Sequence, residues 1–145
     1  MMTIRQCAPD DKEDIAELLK EFHEEALKEY GLKFEGTEVY KAIEDNRENA
    51  MVLEVNNRII GVIAGKIVEY PLQKTKLFQE IVWFVSKNYR LHGIRLLKEM
   101  ENRCKAQGIG MMIMVAMGNS MTEKLDKFYK RIGYRLLETH YLKAI

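Results

Sequence analysis

Hydrophobic positions change their period several times along the chain, and each change marks an element. Residues 3–8 read as a short strand, and Asp10 followed three residues later by Glu13 is a capping-box pattern that predicts a helix start. Ile15, Leu18, Leu19, Phe22 and Ala26 then recur at helical spacing with Glu and Lys on the other face, until Gly31 offers a left-handed stop. Val39, Tyr40 and Ile43 predict a second helix after Thr37. Residues 50–55 turn to strand character, Asn56-Asn57 marks a tight turn, and the Ile-, Val- and Gly-rich residues 59–70 pair back as an antiparallel hairpin that Pro71 ends.

The second half is denser. Leu77, Phe78, Ile81, Val82, Trp83, Phe84 and Val85 put apolar groups on both faces of one strand, as a strand in the middle of a sheet requires. Leu96, Leu97, Met100 and Cys104 follow at helical spacing over residues 93–107, Gly108 closes that helix, and 111–117 is again continuously apolar. Strand, helix and strand form a right-handed crossover whose two strands run parallel, with their carboxyl ends on one edge of the sheet, where ligands favour binding. The methionines at 111, 112, 114 and 117 belong to that buried strand rather than to a soft-metal site. A last helix over 121–131 and a strand over 133–143 complete a mixed α/β domain with a single sheet.

Composition narrows the function classes. The chain has 145 residues, of which 47% are hydrophobic, so one domain spanning 1–145 with a sizeable core is expected. With 23 basic and 22 acidic residues, nothing points to a nucleic-acid partner. Cys7 and Cys104 match no metal or redox spacing, no run is long enough for a membrane span, and the start lacks a signal-peptide pattern. The expectation is a reduced, cytoplasmic setting without a metal.

Tyr89 to Arg95 is the most informative stretch. It lies between the two-sided strand and the amphipathic helix, so consecutive amides of Leu91, His92, Gly93, Ile94 and Arg95 and the charge of Arg90 can meet an anion there. Glycine at 93 lets backbone come close without a Cβ, so a side chain there should obstruct the ligand. No Lys-Ser/Thr pair follows the Gly, which argues against a P-loop.

The run Val85-Ser86-Lys87-Asn88-Tyr89-Arg90-Leu91-His92-Gly93-Ile94 resembles the acyl-CoA pyrophosphate signature of the GNAT superfamily of N-acetyltransferases. Asn119 and Phe128-Tyr129-Lys130-Arg131-Ile132-Gly133-Tyr134 resemble its later motif, and the element order agrees over almost the whole chain. The resemblance implies the GNAT fold: a mixed, mostly antiparallel sheet with a parallel crossover and helices on both faces. It implies acetyl-CoA as co-substrate, bound by Phe84, Val85, Arg90 to Arg95 and Asn119, and a small-molecule or peptide amine as acceptor. A homodimer is compatible with it. Arg95 stands where the family prefers Gly or Ala, as bulkier residues do in phage-encoded members, and its guanidinium would have to swing outward.

By the same resemblance Tyr129 is the acid that returns a proton to the leaving thiolate, with aromatic packing as the plainer role. Glu80 is a lone carboxylate that the strand's alternation places with Phe78, Val82 and Phe84, and it has two readings. It is the base that takes the amine proton, directly or through water, or it forms an ion pair with Lys66 or Lys76. His23, His92 and His140 are weaker candidates. Glu21, Glu24, Glu25, Glu29, Glu35 and Glu38 suit a cationic acceptor, yet interspersed Lys20, Lys28 and Lys33 favour an ordinary solvated face. A catalytically silent acyl-CoA sensor or interaction domain on the same fold is the alternative function.

Overall fold

The computed structural model describes residues 1–118 and 121–145. Asn119 of the later motif lies outside the described residues. Strand β1 (Met2–Gln6) leads through a 3-10 turn (Pro9–Asp11) into α1 (Lys12–Phe22). The residue that organises this entry is Asp11, not Asp10: its carboxylate accepts the Ala8 N–H at 2.7 Å and both Arg5 terminal nitrogens at 2.8 and 2.9 Å. Those bonds, the Arg5 pair foremost, hold the Asp11 carboxyl below the usual carboxylate range.

α1 does not run straight to its stop. It widens into one π turn (His23–Leu27), tightens to a 3-10 turn (Lys28–Tyr30) and ends at Gly31, whose φ of 77° is the expected left-handed stop. α2 (Gly36–Asn46) follows, then β2 (Ala50–Val55) and β3 (Arg58–Tyr70). Asn56 and Asn57 both take positive φ, 49° and 64°, which is the hairpin turn that matches strand twist. β4 (Thr75–Val85), a 3-10 turn (Lys87–His92), α3 (Gly93–Ala106), β5 (Met111–Ile113) and α4 (Thr122–Arg131) complete the elements.

The sheet order is β1-β2-β3-β4-β5, antiparallel except for the parallel β4–β5 pair that the crossover predicts. β4 is buried from both sides. On one face Val82 and Phe84 pack with Val52, Val62, Ile15 and Leu18 under α1 and α2. On the other, Phe78 and Val85 pack with Leu53, Ile63, Leu97 and Met100 under α3, and Tyr129 brings in α4.

One irregularity changes the expected facing of β4. Ala64 pairs with Val82, but the next residue of β3, Gly65, pairs with Glu80, so Ile81 is an extra residue in β4. It is 47% exposed, and beyond it the parity of the strand reverses. Glu80 therefore shares the α3–α4 face with Phe78 and Trp83, not with Val82 and Phe84.

Two expectations about the end of the chain are corrected. The strand expected over 111–117 is a ladder of only three residues, Met111–Ile113, because the chain leaves β4 after Gln79↔Ile113. The strand expected over 133–143 is not formed. Gly133 turns with φ 101°, Tyr134 docks through its N–H on the Tyr129 carbonyl at 2.9 Å, and the residues beyond it reach no ladder partner, Tyr141 being 93% exposed. A strand exists only as one side of a ladder, so alternation alone could not secure it.

Gly65 is the position where the irregularity admits no other residue. A Cβ there would meet the Gln79 carbonyl oxygen and lie 2.5 Å from the Phe78 ring. Gly65→Ala is expected to destabilise the fold by about 1–3 kcal/mol in urea unfolding, the range for overpacking. An unchanged midpoint would show that β3 can shift.

Candidate active site

β4 and β5 part beyond Gln79, and the split opens at the carboxyl edge that the crossover predicts. Loss of the β5 partner leaves that edge of β4, including Phe84 and Val85, without a strand neighbour among the described residues. Glu80 reaches across the split, and its Oε1 accepts the Val115 N–H at 3.2 Å. Tyr129 comes from α4 and donates its hydroxyl to the Val115 carbonyl at 3.0 Å. The two side chains singled out on separate grounds thus bond the two backbone groups of one residue. The ion pair expected of Glu80 with Lys66 or Lys76 is not found: Lys66 pairs in register with Gln79 and Lys76 with Glu69.

Burial sets the proton affinities here. Desolvation pushes the Glu80 carboxyl up to about 7, offset in part by the Val115 N–H that stabilises its charged form. Tyr129 is 8% exposed, ringed by Trp83, Phe128 and Tyr134 at centroid distances of 6.0, 5.9 and 5.4 Å. Burial first, then the Glu80 charge and Tyr134, raise its phenol far above the ordinary value, so it stays protonated. Tyr134 is also raised, by burial and by its 2.9 Å bond to Glu101.

The turn before α3 is built differently from an abrupt helix start. It is a 3-10 turn, so the Gly93 N–H is already engaged by the Arg90 carbonyl and is not free for an anion. Gly93 has an ordinary helical φ of −61°. Its absent Cβ would point inward, 3.4 Å from Val85 and 3.7 Å from the Trp83 indole, so a side chain there would meet protein and not open space. The indole donates to the Gly93 carbonyl at 3.2 Å and ties the turn to β4. Leu91 is 90% exposed, Ile94 is exposed, and His92 is partly buried.

Arg90 and Arg95 lie apart. Arg90 donates Nε–H to the Val85 carbonyl at 3.3 Å, lies 5.6 Å over the Phe84 ring, and places Nη2 at 2.6 and 2.5 Å from the two Glu25 oxygens. Arg95 is exposed and reaches toward Met2 at the start of β1, away from the β4–β5 split. One turn before Glu25, Glu21 accepts the Ser86 hydroxyl at 3.1 and 3.2 Å. A groove of about 390 Å³ lies beside this contact, lined by Asp14, Glu17, Lys20, Glu21, Glu24 and Ser86.

His23 is buried with Nε2 on the Leu32 carbonyl at 2.6 Å, and His140 is on the exposed terminal segment beside Glu138; neither is joined to Glu80 or Tyr129. Residues missed from sequence are Trp83 and Val115; Glu21 and Glu25 are read there only as part of an acidic face, without their contacts to Ser86 and Arg90. The i,i+4 spacing of Glu21 and Glu25 matches that of Ser86 and Arg90, but nothing local says that the two pairs meet. Among the described residues no cluster of His, Cys, Asp and Glu could hold a metal ion, and no helix is long and apolar enough to cross a membrane.

Comparison with known proteins adds the following. The family model described as the acetyltransferase (GNAT) family matches residues 12–134. A search of curated proteins gave no match. Among solved structures, ribosomal-protein-alanine N-acetyltransferase from Brucella melitensis biovar Abortus 2308 is similar at 16% identity and TM-score 0.78, over 99% of each chain. Glucosamine-6-phosphate N-acetyltransferase from Arabidopsis thaliana is similar at 16% identity and TM-score 0.75, over 99% of this chain and 98% of that one. A predicted acetyltransferase with acetyl-CoA from Clostridium acetobutylicum is similar at 18% identity and TM-score 0.72, over 100% and 96%. At these identities the similarity establishes the fold alone.

The folded Glu80 value lies above the ordinary 4.5, so between those limits the folded state holds the proton more tightly than the unfolded chain. This contribution to stability is fully present below pH 4.5 and is lost as pH rises through about 7. Glu80→Gln is therefore expected to raise Tm above pH 7, with the difference vanishing toward pH 4.5 in melts across that range. A variant less stable than wild type at pH 8 would show that the carboxylate is compensated.

Proposed function

Because the chain belongs to the acetyltransferase (GNAT) family, whose members use acetyl-CoA, we propose that it is an N-acetyltransferase acting by direct attack of a primary amine on the thioester. The reading takes 1–145 as one acyltransferase domain. The observation that carries it is the convergence of Glu80 and Tyr129 on Val115 where β4 and β5 part. The fit to coenzyme A rests on the edge of β4 that has no strand neighbour among the described residues, which suits an extended arm with amide groups, and on Arg90 at that edge, a cation for the pyrophosphate.

Acetyl-CoA supplies the activated carbonyl. Glu80, with its affinity near 7, takes a proton from the amine directly or through one water, so that the nitrogen attacks with its lone pair free. Backbone amides of β4 near Phe84 and Val85 stabilise charge on the carbonyl oxygen. As the C–S bond breaks, Tyr129 gives the sulfur its phenolic proton, which requires the hydroxyl to turn from the Val115 carbonyl. Transfer from a phenol of raised affinity to a thiolate is uphill by itself, and it is drawn forward by return of a proton to the phenolate from Glu80, whose affinity is lower than that of the thiolate. The proton held by Glu80 returns to Tyr129 through solvent. Arg90 and the turn before Gly93 hold the pyrophosphate, and Arg95, which reaches toward Met2, contributes only by swinging back toward that turn. Buried, free Cys7 and Cys104 support a reduced, cytoplasmic setting.

Packing of Tyr129 among three aromatic rings supports the second reading, a silent acyl-CoA-binding domain. Acetyl-CoA and coenzyme A, but not ATP, are expected to raise Tm; failure of both coenzymes sinks either reading. Thiol release with a panel of amines then separates them. Tyr129→Phe is expected to lower kcat at least about tenfold with coenzyme affinity within about twofold, and equal loss of both would assign it to packing.

A further inference from the structure

Arg90 is held on three sides. Its Nε–H is on the Val85 carbonyl, its plane lies over Phe84, and its Nη2 is shared by both oxygens of Glu25. The guanidinium is thus fixed at the carboxyl edge of β4, and only its contact with Glu25 is to another charge. That contact comes from the π turn that extends α1, sixty-five residues away in sequence. The neighbouring Glu21–Ser86 bond closes α1 onto the same turn. The pair is 30% and 38% exposed on its two sides, so it is open to exchange from solvent.

We infer that Glu25 is a specificity-determining residue: it is the counter-charge that an incoming phosphate must replace on Arg90, so the turn admits only multiply charged anions. Trading one carboxylate for a singly charged anion on the same guanidinium gains almost nothing, because the bonds made equal those broken. A pyrophosphate brings at least two charges and more acceptor oxygens, and it meets the edge of the turn as well as the guanidinium. Glu25 therefore weakens every anion by the same exchange, and only a multiply charged one keeps enough contacts to bind. The inference deepens the acyl-CoA reading and rests on it for the identity of the natural ligand.

The test is calorimetric titration of the full chain, wild type and Glu25→Gln, with coenzyme A, inorganic pyrophosphate and pantetheine. Glu24→Gln is the control: it removes the same charge one residue away, but Glu24 pairs with Lys28 and not with Arg90. Glutamine is a good helix former, so both variants are expected to fold. Glu25→Gln is expected to bind coenzyme A and pyrophosphate about threefold to tenfold tighter, with Glu24→Gln within about twofold of wild type and pantetheine unchanged in all three. Equal tightening in both variants, or none in Glu25→Gln, overturns the inference. Tightening toward pyrophosphate without coenzyme A binding by any form would leave the exchange standing and sink the acyl-CoA reading instead.

Discussion

An extra residue in β4 sets the geometry on which the site depends. Without the bulge at Ile81 a regular strand would keep Glu80 on the face of Val82 and Phe84, under α1 and α2. With it, Glu80 turns to the α3–α4 side, where Val115 and Tyr129 stand. The same irregularity requires Gly65 opposite, since the approach of Gln79 and Phe78 leaves no room for a side chain. A conformational cost in β3 and the orientation of a carboxylate in β4 are two consequences of one register change.

Burial of β4 on both faces and its separation from β5 make complementary demands. The strand is anchored by β3 along its whole length, so it can lose β5 beyond Gln79 without fraying. The result is an edge without a strand neighbour among the described residues, beside an apolar wall of Trp83, Phe128 and Tyr129. That wall explains why Glu80 titrates near neutrality: a carboxylate facing aromatic rings with one N–H for company loses more hydration than it regains. Stability above pH 7 is given up at this position.

The carboxyl edge is also where α1 returns. Its π turn moves Glu25 onto Arg90 while Glu21 stays on Ser86, so the helix bearing the acidic residues is joined to the turn that begins at Ser86 and carries Arg90. Most of the α1 charges keep to the solvated face that their interspersed lysines suggest, as with Glu24 and Lys28. Glu21 and Glu25 are among those that do not, and for Glu25 the difference is a matter of helical phase at the π turn, which no composition argument contains.

Local periodicity was sufficient for the helices, the Asn56-Asn57 hairpin, the two-sided burial of β4 and the parallel crossover, because each is encoded by neighbours a few residues apart. The family of the chain was legible for the same reason, in the turn at 85–94 and the aromatic run at 128–134. The facing of Glu80, its partner Val115, the Glu25–Arg90 pair and the missing last strand were not. An added residue reverses parity without altering the apolar pattern, and a ladder needs a partner that alternation does not supply. Contacts spanning sixty-five residues exist only once the sheet is closed. Sequence by itself determined the elements, their order and the family; tertiary structure decided which side chains meet, because a register shift of one residue and one turn of wider helix are invisible to local spacing yet move every side chain that follows them.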